Sequence, residues 1–287
     1  MLVKIVAKRI QEDYALPPPE VWPSRITQGE FTKIKDECMN NSNVDTANLR
    51  RHMFERAFYK RTASYKVYES PHGKIIAILD SDEQGADIPW DLWWRALRIY
   101  YSGKPYTVVF LAHRAQRTAP APNIAIQPIH INGGYTYPCK TNFICIYRAE
   151  DATRVLLHEL FHASCSDSPA DDIDHMEAKT EAWAELVYAA MLAHGSLKDT
   201  QLGIYRQSDW MHTQNENIRK HHMISNGINS AEFPWRYTIG KEDVWRAWNI
   251  YEPTAHRYVW TGSMRLTPPP TAVHKQRENI TQDSMIL

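Results

Sequence analysis

Residues 155 to 163 read VLLHELFHA, two histidines and a glutamate set into an apolar run. Val155, Leu156, Leu157, Leu160 and Phe161 leave such a segment little choice but to be a helix packed inside the protein. Buried imidazoles and carboxylates are costly without partners, so the fold must bring them hydrogen bonds or a cation. Histidines four apart lie on one helix face, about one turn from each other, and both can reach one zinc ion at about 2.0 to 2.1 Å. Glu159 follows the first histidine directly, an offset that keeps it off the metal and beside the water, where a general base is required.

The chain before this motif supplies the strands on which such a helix packs. Tyr65 to Leu79 (YKVYESPHGKIIAIL) reads as two strands joined by a turn at Pro71 to Gly73. Three further strand candidates are Tyr106 to His113, Ile124 to Ile131 and Asn142 to Tyr147, separated by turns bearing Pro and Gly. Helical spacing marks Asp45 to Tyr59, capped by Asp45, and about Ile88 to Ser102, with Asp87 as candidate cap. The aromatic residues of the second of these, Trp90, Trp93, Trp94, Tyr100 and Tyr101, are expected to be a packed core stripe. After the motif comes an Asp-bearing loop, Ser166 to Asp174, and then a helix over about His175 to His194 that ends at Gly195. The order predicts an α+β fold in which a small mixed sheet packs on the motif helix and a following glutamate-bearing helix.

That following helix reads EAKTEAWAELVYAAMLA and carries Glu177, Glu181 and Glu185 in an apolar setting. Ala182, Trp183, Ala184, Leu186 and Val187 crowd Glu181 and Glu185, which argues against solvated positions. Glu177 has the same i, i+4 relation to Glu181 and is its rival as third ligand, although an acid at a helix entrance is also at home in solvent beside the positive dipole end. Asp174 and His175 are further competitors.

HELFH followed by TEAWAEL resembles the gluzincin zinc peptidases, whose two helices carry H-E-x-x-H and then E-x-x-x-[D/E]. The E-x-x-A-E version is similar to compact gluzincins and to the catalytic domain of anthrax lethal factor. The resemblance covers about residues 105 to 195. It implies a zincin-like fold and one bound Zn2+, with His158, His162 and Glu181 as ligands, Glu159 as base and Glu185 as an acceptor that orients a ligand histidine. It also implies hydrolysis of peptide bonds, with a peptide or protein as substrate, bound along a strand near the motif helix; Asn142 to Tyr147 is the matching strand. A catalytically inactive interaction or particle-structural protein of the same fold is the alternative. Candidates for an oxyanion donor are Tyr205, His212, His221, His222 and Tyr237.

The domain division expected is an N-terminal α+β region over 1–104, a catalytic part over 105–265 and a Pro-rich polar tail over 266–287. Pro17 to Pro19 and Pro268 to Pro270 are possible docking segments for a partner. Lys+Arg and Asp+Glu balance at 33 each, so no global field attracts nucleic acid or an anionic membrane. A nucleic-acid surface would have to be built from Trp94, Arg95, Arg98 and the cluster at 219 to 222. The N-terminus lacks the unbroken apolar core of a secretory signal, and no stretch approaches the roughly 18 apolar residues of a membrane span. Cys38, Cys139, Cys145 and Cys165 are too few and too widely spaced to read as a disulfide framework, which favours an intracellular, cytoplasmic setting. Cys145 and Cys165 are expected near the cleft.

Overall fold

The run GKIIAIL becomes the buried centre of a six-stranded mixed sheet. The computed structural model describes residues 1–81, 85, 88–222, 233–256 and 258–269. The strands are β1 (Trp22–Pro23), β2 (Ser64–Ser70), β3 (Gly73–Leu79), β4 (Tyr106–Leu111), β5 (Gly134–Thr136) and β6 (Ile144–Ile146), in the order β1-β2-β3-β4-β6-β5. β3, β4 and β6 run parallel, and the remaining neighbours are antiparallel. Every residue of β3 is buried because both faces of the sheet are covered, which is why the strand reads as continuously apolar rather than alternating.

On one face Ile76, Ile78, Val109, Leu111 and Cys145 pack against α2 (Gln28–Met39) and α3 (Leu49–Phe58) through Ile34, Cys38, Met53 and Phe54. On the other, Ile75, Ala77, Val108, Phe110, Ile144 and Ile146 meet the larger helical layer. That layer contains α1 (Leu2–Tyr14), α4 (Trp90–Ile99), α6 (Ala152–Ala163), α7 (Ile173–Leu192), α8 (Leu197–His222), α9 (Phe233–Tyr237) and α10 (Ile239–Ala247). The fold is α+β as expected. The sheet takes strands from both sides of residue 104, since β3 pairs with β4 from Gly73↔Tyr106 to Ile78↔Leu111.

Several local expectations change. Ile124 to Ile131 is not a strand: Pro128 at the first helical position and reciprocal Gln127 and His130 contacts start a short helix, α5 (Pro128–Ile131). β5 occupies residues read as a turn, and α1 and α2 were not anticipated from the sequence. α3 begins at Leu49 with Asn48, not Asp45, as its N-cap, and Asp45 reaches across from the preceding turn to accept the amides of Leu49 and Arg50. Of the expected aromatic stripe Trp93 and Trp94 are core, Trp93 donating through Nε1 to Thr153 Oγ1, while Trp90 and Tyr100 are half-buried and Tyr101 is exposed. Arg95 and Arg98 turn inward to Asp13 on α1. The candidate cap Asp87, the side chain of His222 and the tail from Pro270 onward lie outside the described residues.

Candidate metal centre

α6 begins directly after β6 and buries nearly all of its length, so the four-residue spacing of His158 and His162 is converted into a shared inward face. Their Nε2 atoms are 3.0 Å apart. α7 crosses this face and presents Glu177, whose Oε2 lies 3.3 Å from His158 Nε2 and 3.6 Å from His162 Nε2. The triangle of possible ligand atoms therefore has edges of 3.0, 3.3 and 3.6 Å. Tetrahedral zinc with ligands at about 2.0 to 2.1 Å sets them roughly 3.3 Å apart, so the three residues fit that ion. Two imidazoles and one carboxylate are also the donor set zinc favours, and Glu177 Oε2 is buried with no hydrogen-bond partner.

The carboxylate brought to the two Nε2 atoms is that of Glu177 rather than Glu181. Glu181 lies on the far side of the same ring, with Oε1 2.9 Å from His158 Nδ1, a charge contact rather than an aligned hydrogen bond. The physical reason is Arg154, one turn before His158 on α6. Its guanidinium donates through Nη1 to Glu181 Oε1 at 2.9 Å and through Nη2 to Oε2, and so holds that carboxylate behind the imidazole. Glu185 does not touch a histidine; it accepts from Arg154 Nε at 3.2 Å and from Lys241 Nζ at 2.9 Å. Glu181 and Glu185 are buried as expected and share Arg154, whereas Glu177, expected at the helix entrance beside solvent, is half-buried against the two histidines.

His162 has a carboxylate behind it as well. Asp167, from the Asp-bearing loop, stands 2.9 Å from His162 Nδ1 and also accepts from Thr180 Oγ1. The sequence reading did not single out this role; an acid five residues past the second histidine was the available signal. Asp174 and His175, the other rival ligands, pair with Arg236 and with Asp172. Burial opposes charge on both imidazoles, yet Glu181 and Glu177 raise the pKa of His158 to about 9, and Asp167 and Glu177 raise that of His162 to about 10. For Glu177 burial is outweighed by the two histidines, and its pKa lies well below the carboxylate range. Burial lifts Glu159 to about 7 against the pull of His158 and His162, a value at which a carboxylate can both take and return a proton.

The cluster lines a cavity of about 260 Å³ whose other walls include Val44, Asn132, β5, Tyr237 and Leu266. Of the four oxyanion-donor candidates whose side chains are described, Tyr237 is the one at this cavity, and burial keeps its phenol well above its ordinary pKa. Val44, Tyr135 and Thr136 also border a second cleft of about 740 Å³ between β5 and α2. β6 is flanked by β4 and β5, so Asn142 to Tyr147 has no free edge for another strand; β5 is the edge. A side chain at Gly134 would meet Val155 at 2.5 Å and Cys145 O at 2.9 Å, so only glycine lets this edge lie against α6, next to Glu159.

The cysteines also differ from expectation. Cys139 and Cys165 form a disulfide, made possible because the turn after β5 folds back onto the C-terminal end of α6. Cys145 is fully buried on the α2 and α3 side of the sheet, where burial raises its thiol pKa well above the usual value. Among the described residues no helix is long and apolar enough to cross a membrane. No family model, curated protein or solved structure matches this chain.

Proposed function

We propose that this chain is a zinc-dependent peptidase of gluzincin type, with a zincin-like catalytic part in which His158, His162 and Glu177 hold one metal ion. The observation that carries the reading is the convergence of two Nε2 atoms and an unpartnered carboxylate oxygen beside a buried glutamate whose pKa is raised. Zinc bound by this donor set supplies a Lewis acid that polarises a carbonyl and acidifies water.

The residues of the chain account for the remaining requirements. Glu159 accepts a proton from the attacking water and delivers it to the departing amine. Glu181 and Asp167 fix the rings of His158 and His162 from their Nδ1 sides. Tyr237, on the cavity wall, is the candidate donor to a developing oxyanion. The free edge of β5 offers backbone groups to an extended peptide, which would lie across Gly134 above Glu159 and continue past Thr136 toward the second cleft.

The test is cleavage of a diverse peptide mixture by the full chain. Activity is expected that a chelator removes and zinc restores, and that Glu159→Gln abolishes while zinc remains bound. Cleavage that survives both treatments would sink the proposal.

A further inference from the structure

The disulfide between Cys139 and Cys165 encloses β6 and the whole of α6, so the H-E-x-x-H segment lies inside a covalent ring with a sequence separation of 26 between its ends. Both half-cystines are exposed. The amide of Cys139 donates to His162 O at 3.0 Å, and the amide of Cys165 donates to the same oxygen at 3.1 Å. Both half-cystines also sit in left-handed backbone, with φ of 59° and 62°, a conformation that residues with a side chain leave readily once nothing holds them there. One end of the link follows the edge strand β5, where Pro138 borders the cavity; the other lies just past the C-cap of the helix carrying His162. Two parts of the site that are far apart in sequence are thus held in register by one solvent-accessible bond.

We infer that Cys139–Cys165 is a reversible redox modification site, a latch opened by small-molecule thiols of the glutathione class. A thiolate attacks one cystine sulfur, the S–S bond breaks, and the other cysteine leaves as a thiolate and takes up a proton. A second thiolate then attacks the reductant's sulfur in the mixed disulfide, and the remaining cysteine leaves as a thiolate and takes up a proton. Two electrons pass to the protein, giving two cysteine thiols and one disulfide of the reductant. Opened, the turn over residues 137–141 keeps the Cys139 amide bond to His162 O, and this turn and the segment just after α6 loosen relative to each other. Cys38 and Cys145 take no part, being buried, free and non-nucleophilic, with Cys38 raised to about 12 and Cys145 well above its usual value. The effect on metal retention rests on the zinc reading above; the release of the two segments does not.

The experiment compares the air-oxidised full chain, the same chain after a phosphine reductant, and the double variant Cys139→Ser/Cys165→Ser, by amide hydrogen exchange and by transfer of zinc to a chelator. On reduction, two thiols per chain should become reactive, and exchange over 137–141 and 162–166 should rise about tenfold or more while β3 stays protected. Zinc should leave about tenfold faster, and the double variant should match the reduced chain. Unchanged exchange at both segments overturns the latch. So does loss of protection in β3 as well, which would make the bond a brace for the whole fold, and so does finding two reactive thiols before any reductant is added. Should no state of the chain bind zinc, the peptidase reading falls alone, and the exchange comparison still decides the latch.

Discussion

Glu177 Oε2 stands 3.3 Å from His158 Nε2, on the side of the ring opposite Glu181, which meets Nδ1. The two acids are one helical turn apart on α7 and flank a single imidazole; both border the cavity, but only Glu181 is pinned by Arg154. Their substitutions should therefore separate cleanly.

Glu177→Ala is expected to remove a ligand and weaken zinc binding more than Glu181→Gln does; loss of an outer partner such as Glu181 costs about 10- to 100-fold. Both substitutions should destabilise the metal-free chain: Glu181→Gln leaves Arg154 buried without its main carboxylate, a loss of about 3 kcal/mol, and Glu177→Ala leaves His158 and His162 without the carboxylate they share. Chelator competition gives the ranking in affinity, and denaturant unfolding of the metal-free variants measures the two losses.

The difference between these acids marks the limit of what the sequence could disclose. The helical period and apolar neighbours of His158, Glu159 and His162 were enough to read a buried helix with its face. Glu177 and Glu181 share one face of α7 by the same period, and the choice between them depends on Arg154, a residue of another helix. An acid at a helix entrance has a sufficient explanation in solvent, and only the crossing of α6 and α7 brings it inside. β5 escaped because three residues, Gly134–Thr136, are too few to show a period of two. The pairing of Cys139 with Cys165 is a tertiary contact with no local signature.

Asp167 should act through His162. Asp167→Ala is expected to lower zinc affinity about 10- to 100-fold, and Asp167→Asn, which retains an acceptor oxygen for Nδ1, to lower it less. Isothermal titration of both variants with zinc measures this. Equal affinities for the wild type and the Ala variant would remove Asp167 from the account.

Tyr237→Phe is expected to lower kcat by about 10²- to 10³-fold with zinc content unchanged, because only the phenolic donor is lost. Steady-state kinetics on a cleaved peptide provides the readout, and a change confined to KM would instead make Tyr237 a binding residue.

The side chain of Asp151, before the first turn of α6, is fully buried and accepts from Arg265 Nη2 at 2.7 Å, from the Leu266 amide at 2.8 Å and from Thr267 Oγ1 at 2.7 Å. Burial would raise its pKa, but Arg265 and Arg117 bring it below the ordinary 3.8. A carboxylate with a depressed folded pKa stabilises fully above its unfolded value and loses that contribution as pH falls through the folded one. Asp151→Asn is therefore expected to cost about 3 kcal/mol near neutral pH, with the gap to wild type shrinking below about pH 4. Denaturant unfolding from pH 2 to pH 7 measures the gap; a constant difference across that range would exclude the charge of Asp151 as its source.

The central claim is one cation held by His158, His162 and Glu177, and the most direct measurement is metal content of the purified chain together with anomalous scattering at the zinc edge in its crystals. One zinc per chain is predicted, with density bonded to His158 Nε2, His162 Nε2 and Glu177 Oε2. A chain that takes up no zinc when it is supplied, or density bonded to Glu181 in place of Glu177, would contradict it.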